Sequence, residues 1–253
     1  QIILTTHVPG VAEMLPINSI RFITEETKQS GKINSADEDQ LVQIAEELGV
    51  IPSSKVKLLV YVEGKNDVMF LKHISKILFS AKKTKINLFT DNRIAFIPTG
   101  GVDSLKDYIN NKYLRRLDLP EFYIVDKDNN NDKKVKDAVV TKRREMENYI
   151  HPTVIKEFLI KKYPDLSDIE FNINLDDPNL LVPKAIHDFL LDHQYVLGDS
   201  NPPSIKTIKN WLNTKVVSKM NYDHLKDLNV EVELEGWFKQ MEKKLESHSL
   251  VKN

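Results

Sequence analysis

Residues 58–68 have the sequence Leu-Leu-Val-Tyr-Val-Glu-Gly-Lys-Asn-Asp-Val, and this stretch determines how the rest of the chain is interpreted. The five apolar residues predict a buried strand of a parallel sheet, because the run is too short for a helix. The apolar pattern that follows predicts a helix over residues 67–81. Glu63 is therefore expected at the carboxyl end of a strand, and Asp67 in the first turn of a helix. Open α/β sheets bind their ligands at that edge.

The composition is that of a globular protein with a buried core, with 253 residues, 41% hydrophobic and 29% charged. We expect a cytoplasmic protein without membrane contact, because the chain has no signal-peptide pattern and no apolar run of roughly 20 residues. The absence of cysteine excludes disulfides, thiolate catalysis and cysteine-bound zinc. The net charge of −1 gives no overall basic signature for nucleic acid.

Basic residues are nevertheless clustered in two segments. Residues 133–144 contain six lysines and arginines against one acid, and residues 204–219 contain four lysines and no acid. Either run alone is most simply explained as a solvated face of the protein. Their positions relative to the acidic residues decide whether they have a further role.

Strands and helices are predicted to alternate through the first half of the chain. Apolar runs at residues 94–97 and 122–125 predict two more strands, and Val139 and Val140 begin a fourth that runs through Arg144. This alternation predicts an α/β fold, with a parallel sheet flanked by helices. The later pattern is helical, with candidate helices at 153–162, 180–194, 204–219 and 232–248.

The chain divides into four predicted segments. Residues 1–24 are expected to be the end of a larger domain, because they open directly on a buried strand pattern. Residues 25–54 are a polar linker with one helix. Residues 55–152 hold the alternating strands and helices, and residues 153–253 form a mainly helical accessory region.

Acidic residues follow the predicted strands. They are Glu63, Asp67, Asp126, Asp128, Glu145 and Glu147. Residues two apart on a strand share a side, so Asp126 and Asp128 would repel each other unless a cation lay between them. Mg²⁺ and Mn²⁺ prefer such oxygen ligands. A lone Asp-x-Asp is usually surface loop, but acids at successive strand ends predict a site for one or two ions.

Two ions about 4 Å apart would hold the attacking and leaving oxygens of a phosphodiester displacement. The paired glycines after the second strand, Gly100 and Gly101, allow a tight turn and a close approach of the backbone to a phosphate.

Four motifs carry a resemblance to a known family. In order and spacing, VEGKND (62–67), IPTGG (97–101), VDKDN (125–129) and RREMENY (143–149) resemble the acidic motifs of Toprim domains. The sharper likeness is to the nuclease domain of the overcoming-lysogenization-defect (OLD) family. Proteins of that family join an N-terminal ABC-type ATPase to a C-terminal Toprim nuclease.

The segment ILTTHVPG (3–10) resembles the end of such an ATPase core, where a switch histidine, His7 here, contacts the terminal phosphate of the nucleotide. A histidine that caps a strand end explains the residues alone equally well. The chain has no Walker A motif, so ATP is expected as a ligand only of the full-length protein.

The resemblance implies a role for each acid. Glu63 and Asp67 would bind metal at the first strand end, and Asp126 would be the ligand shared between two ions, with Asp128 beside it. Glu147, together with Glu145, would complete the second ion site.

Nucleases of this family also carry a lysine that stabilises charge on the phosphate, and its usual glycine-lysine setting is missing here. Lys209 is the first candidate, because it falls within the apolar stripe of the helix predicted over residues 204–219. Lys206 and Lys215 are the next candidates. A lysine that reaches solvent from the edge of the stripe is the alternative explanation.

The sequence thus predicts a metal-dependent endonuclease domain that nicks or cleaves DNA, with Glu63, Asp126 and Lys209 as catalytic residues. It would belong to an ATPase-coupled nuclease of phage defence or DNA processing, homo-oligomeric through the ATPase domain, with a possible partner protein of the defence system. Four basic residues between two acid motifs are expected to contact the nucleic-acid backbone. They are Lys133, Lys134, Lys142 and Arg143. The alternatives are cleavage of RNA or tRNA in an anti-phage ATPase system, and a non-catalytic nucleic-acid-binding module with a structural ion.

Overall fold

The structure is a computed structural model that describes residues 56–101, 105, 119–127, 137–193 and 202–250. Residues 248–250 are described by their main chain only. Several predictions lie outside the described residues. They are the segment 1–24, the linker 25–54, His7, Asp128, Lys133 and Lys134.

Within the described residues, four parallel strands form the sheet. They are β1 (Leu58–Val62), β2 (Ile94–Pro98), β3 (Glu121–Val125) and β4 (Val139–Val140), in the order β2-β1-β3-β4. The strand predicted first in the sequence is central, because Leu58 pairs with Ile94 on one side and Val60 with Phe122 on the other. The predicted α/β class with a parallel sheet is confirmed, and the strand order is consistent with a Rossmann-like fold.

Both faces of the central strand are buried. Leu58, Val60 and Val62 belong to the large core that the helices form, whereas Leu59 and Tyr61 belong to a smaller cluster. Side chains alternate across a strand, so a strand with apolar residues at every position must be covered on both sides. This explains why β1 lacks the polar alternation of a half-exposed strand.

Helices make up the remainder of the described fold. They are α1 (Lys65–Ser80), α2 (Pro152–Lys162), α3 (Val182–Asp192), α4 (Ile205–Trp211), α5 (Tyr222–Asp227) and α6 (Glu231–Leu250), with 3₁₀ helices at Met146–Tyr149, Pro164–Asp168 and Val217–Lys219 and a π-helical turn at Leu212–Val216. The predicted helical region after residue 152 is confirmed. Among the described helices, none has the length and apolar character needed to cross a membrane.

Helix α1 begins directly after β1 because of a local hydrogen bond. The carboxylate of Asp67 accepts the N–H of Gly64 at 2.7 Å, which closes a capping arrangement over the first turn. Leu71, Ile74 and Leu78 then bury one side of the helix in the core. The same bond fixes Asp67 at the carboxyl edge of the sheet.

The 3₁₀ helix Met146–Tyr149 is held in place by Tyr149, whose side chain is fully buried. The Tyr149 hydroxyl donates to the carboxylate of Glu233 on α6 at 2.8 Å, and its ring packs edge-on against Trp237. Burial raises the pKa of the Tyr149 phenol, so it remains a donor at any ordinary pH. The acids on either side of Met146 are thereby tied to α6.

Two predicted elements are shorter in the structure. The fourth strand ends at Val140 and does not run through Arg144. Thr141 explains this end, because its hydroxyl accepts the N–H of Lys127 at 2.8 Å and donates to the carbonyl of Arg143 at 2.7 Å. These side-chain bonds turn the chain away from the sheet.

The helix predicted over residues 204–219 is α-helical only to Trp211 and continues as the π-helical turn. Two successive side chains bond to carbonyls one turn back, Asn213 to Lys209 at 2.9 Å and Thr214 to Asn210 at 2.6 Å. Side chains that bond to those carbonyls disturb the regular pattern of a helix.

The residue that caps the N-terminus of α2 should make the stability of the protein depend on pH. His151 caps this helix, because its Nδ1 accepts the N–H of Thr153 at 3.3 Å. Burial and the neighbouring His224 lower the pKa of His151 below its usual 6.5, against the opposing effect of Asp227. A lowered pKa means that the fold favours the neutral ring, so stability falls as the pH drops below about 6.5.

We expect His151→Asn, which keeps a capping acceptor that does not titrate, to reduce this loss of stability. The free energy of unfolding should fall less between pH 7.5 and 5 than in wild type. Urea unfolding at both pH values measures it, with equal stability of the two proteins at pH 7.5 as the control. An unchanged pH dependence would contradict the capping role of His151.

Candidate metal site

Five acidic side chains gather at the carboxyl edge of the sheet. Glu63 follows β1 and Asp126 follows β3. Asp67 lies in the first turn of α1, while Glu145 and Glu147 lie at the start of the 3₁₀ helix after β4. These elements meet because the strands are parallel, so all their carboxyl ends lie along one edge.

Four of these carboxylates are buried. The exposed fraction is 4% for Asp67, 5% for Asp126, 7% for Glu145 and zero for Glu147. Glu63 is intermediate. Acidic side chains are rarely buried unless a cation or several donors compensate their charge.

Three of these carboxylates each accept a hydrogen bond from another group of the chain. The backbone N–H of Asp126 donates to Oε1 of Glu63 at 3.0 Å, which links the ends of β1 and β3. The N–H of Gly64 donates to Asp67, as described above. The side-chain amide of Asn213 donates to Oε1 of Glu147. Each acid is therefore oriented by its own element or by a neighbouring one.

Lys209 lies among the acids. Its ammonium is 3.4 Å from Oε2 of Glu147 and 3.6 Å from Oε2 of Glu145. The lysine projects from α4, whose buried stripe includes Ile208 and Leu212. The structure thus places the lysine chosen from the apolar stripe beside the predicted metal ligands, while its catalytic role stays a prediction.

The electrostatics follow from burial and proximity. Burial raises the pKa of Asp126 well above its usual range, and the charges of Asp67 and Glu147 raise it further. Burial also raises the pKa of Asp67 to about 7, although the positive charge of Lys209 opposes the shift. Burial lowers the pKa of Lys209, but the surrounding carboxylates, Glu147 foremost, outweigh it and raise the pKa above that of a free lysine.

A cleft of about 510 Å³ opens beside the acids. Its lining includes Glu63, Asp67 and Asp126, the glycines Gly100 and Gly101, and Lys206, Lys209 and Asn210 of α4.

The paired glycines are required by the backbone, since φ is +81° at Gly100 and +130° at Gly101. The N–H of Gly100 donates to the carbonyl of Glu63 at 2.9 Å, so the turn after β2 is joined to the end of β1. Lys215, the third lysine candidate, is exposed and is not among the residues that line the cleft.

The chemistry of the donor set fits a hard divalent cation. All five acids offer oxygen, the ligand type that Mg²⁺ and Mn²⁺ prefer, and four of them are buried. Within the described ranges, however, no three acidic or histidine side chains stand close enough together to hold an ion as they are arranged here. The Lys209 ammonium lies beside Glu145 and Glu147, and Mg²⁺ or Mn²⁺ stays a prediction.

Two of the residues predicted to contact nucleic acid, Lys142 and Arg143, are among the described residues. The backbone N–H of Lys142, an exposed residue, donates to Glu233 at 2.8 Å. The guanidinium of Arg143 donates to the carbonyls of Asn148 and Leu228, both at 2.9 Å. Arg143 therefore ties the 3₁₀ helix to the end of α5, and its contact with nucleic acid stays a prediction.

Sequence reasoning missed Asn213, which is fully buried and contacts both Glu147 and the main chain of Lys209. The available signal was its spacing. Asn213 stands four residues after Lys209, so both belong to one side of the predicted helix, next to its apolar stripe.

Comparison of the chain with protein-family models, with curated proteins and with solved structures finds no match. The likeness to Toprim domains and to the OLD family therefore rests on the four sequence motifs.

The raised pKa of Asp67 gives a prediction for the metal-free protein. The folded state keeps the proton of Asp67 up to a pH of about 7, whereas the unfolded chain releases it near 3.8. Asp67 should therefore contribute a fall in stability of about 4 kcal/mol as the pH rises between these values. Asp67→Asn keeps an acceptor for Gly64 but cannot ionise, so it should remove the share of the fall that Asp67 contributes, while Asp126, whose pKa is also raised, keeps its own share.

Urea unfolding from pH 5 to 8 in the presence of a chelator measures the effect. The exposed Asp165 supplies the matched control, because Asp165→Asn should leave the fall in place. If Asp67→Asn loses stability with pH as steeply as wild type, burial does not act on Asp67 as described.

Proposed function

We propose that this chain is a metal-dependent endonuclease domain that nicks or cleaves DNA. The observation that carries the proposal is the set of five carboxylates around one lysine at the carboxyl edge of a parallel sheet, beside an open cleft. Ligands of such sheets bind at this edge.

Structural stability does not account for the cluster. Burial raises the pKa of both Asp67 and Asp126, although the positive charge of Lys209 opposes both shifts. Apolar residues of similar volume would usually be as stable as buried ions or more so. Carboxyl groups with such strongly shifted pKa values, lining a cleft, are typical of functional sites.

A divalent ion bound here would polarise the phosphoryl group and supply a water that attacks it at neutral pH. Asp126, Glu147 and Glu63 are the residues that would hold it, since Glu63 and Asp126 line the cleft and Glu147 lies beside Lys209, which also lines it. Lys209 would donate to a phosphate oxygen as negative charge develops there.

The cleft suits a phosphate backbone. Lys206 and Asn210 are exposed on the cleft side of α4, next to Lys209. Positively charged and amide side chains in these positions would contact phosphates on either side of the bond to be cut. The predicted contacts of Lys133, Lys134, Lys142 and Arg143 extend this surface.

The motif resemblance favours the same reaction. We infer from it that the chain is the Toprim nuclease part of an OLD-like protein, cytoplasmic, with an ATPase domain that binds ATP and forms the oligomer. A role in phage defence or DNA processing, with a partner protein of such a system, belongs to this proposal.

Nicking of supercoiled plasmid tests the proposal. Wild type should nick DNA with Mg²⁺ or Mn²⁺ and stop when a chelator is added. Glu63→Ala and Asp126→Ala should lower the rate by at least about 10³-fold, since each removes several kcal/mol of transition-state stabilisation. Asp165→Asn, on an exposed turn away from the cleft, should cut like wild type.

Lysine variants separate the predicted roles. Lys209→Met should lower kcat by about 10²–10³-fold, the usual effect of removing one transition-state donor. Lys206→Met should chiefly raise KM, because it would contact only the backbone of the substrate.

A wild-type chain that cuts RNA but not DNA would support the RNA alternative. Binding without cleavage of either, unaltered in Asp126→Ala, would support the non-catalytic module. An Asp126→Ala protein that still cuts would overturn the proposed site.

A further inference from the structure

Asn213 contacts two parts of the site at once. Its side-chain nitrogen donates to Oε1 of Glu147 and also to the carbonyl of Lys209, the latter at 2.9 Å. Its exposed fraction is zero, so it has no contact with bulk water. A buried side chain with this connectivity links the 3₁₀ helix that carries Glu147 to the helix that carries Lys209.

The orientation of the Asn213 amide is fixed by its partners. The amide nitrogen has two hydrogens, and both partners are acceptors that cannot donate. The opposite orientation would set the amide oxygen against a carboxylate and a carbonyl. The nitrogen therefore faces Glu147, and the amide oxygen Oδ1 is buried without a donor among the described residues.

The π-helical turn is what brings Asn213 to this position. A π turn adds a residue to the helix and rotates the side chains that follow the insertion. Here it begins directly after α4 and includes Asn213, with Leu212 and Val216 still buried in the core. Isolated π turns of this kind are frequent at functional sites.

The Asn213 donor matters because its acceptor is a buried carboxylate. Glu147 has no exposed surface, and its other oxygen, Oε2, lies 3.4 Å from the Lys209 ammonium. The Asn213 amide holds Oε1 of Glu147 in one direction, so the carboxylate cannot turn both oxygens toward the lysine. Without that donor, the nearest favourable partner of a buried carboxylate is the ammonium alone.

We propose that Asn213 is a positioning residue of the metal site, which holds the Glu147 carboxylate in the direction needed to bind a divalent ion and keeps it from a closed pair with Lys209. The inference rests on the proposed function, because it concerns the same site. Groups that orient a metal-binding carboxylate in this way contribute about 10–100-fold to metal affinity.

The test is the affinity of the full chain for Mn²⁺, measured by calorimetry without nucleic acid. Asn213→Leu, similar in size but without a donor, should weaken Mn²⁺ binding about 10–100-fold. Asn213→Ala should weaken it comparably, and serves if the leucine variant does not fold.

Thr214→Val is the matched control. It removes the other side-chain bond of the same π turn, from Thr214 to the carbonyl of Asn210, and leaves the Asn213 contacts in place. It should change the Mn²⁺ affinity less than twofold. Urea unfolding of each variant shows that the proteins compared are folded at the temperature of the titration. Among folded proteins, a purely structural role of Asn213 would leave the Mn²⁺ affinity unchanged.

The outcomes separate the inference from the function. If wild type fails to bind Mn²⁺, the proposed function fails. If wild type binds and the Asn213 variants bind within twofold of it, Asn213 does not position Glu147. If Thr214→Val weakens binding as much as Asn213→Leu, the shape of the turn is responsible and the inference is overturned.

Discussion

The contact between the Lys209 ammonium and the buried carboxylate of Glu147 is the interaction on which the site depends. Glu147 has no exposed surface, and the two charged groups are 3.4 Å apart. The pair joins the 3₁₀ helix Met146–Tyr149 to α4, which otherwise belong to different segments of the chain. Asp67 and Asp126 lie close by with raised pKa values, and the positive charge of Lys209 opposes both shifts. The fold thus holds several carboxyl groups close together at one edge of its sheet.

The sequence predicted β1, the parallel sheet and the meeting of the acids, for one reason. A short apolar run buried on both faces must be a parallel strand, and parallel strands bring their carboxyl ends to one edge. The position of Lys209 was predicted in the same way, because a lysine within an apolar stripe must meet an anion or reach solvent. Local patterns were sufficient in these cases.

The sequence did not predict the end of the fourth strand or the π-helical turn. Both depend on side chains that bond to nearby carbonyls, Thr141 in the first case and Asn213 and Thr214 in the second. Hydropathy patterns carry no information about such bonds, since the same residues are also common on helix surfaces. Asn213 was missed because its role depends on Glu147, which lies 66 residues away in the chain.

Diffraction from crystals grown with Mn²⁺, with data collected for anomalous scattering of manganese, tests the account most directly. The account predicts an anomalous peak in the cleft, bonded to Asp126 and at least two of the other four carboxylates, with Lys209 displaced from Glu147. A cleft without a peak, with the lysine still within 3.6 Å of both glutamates, would contradict it.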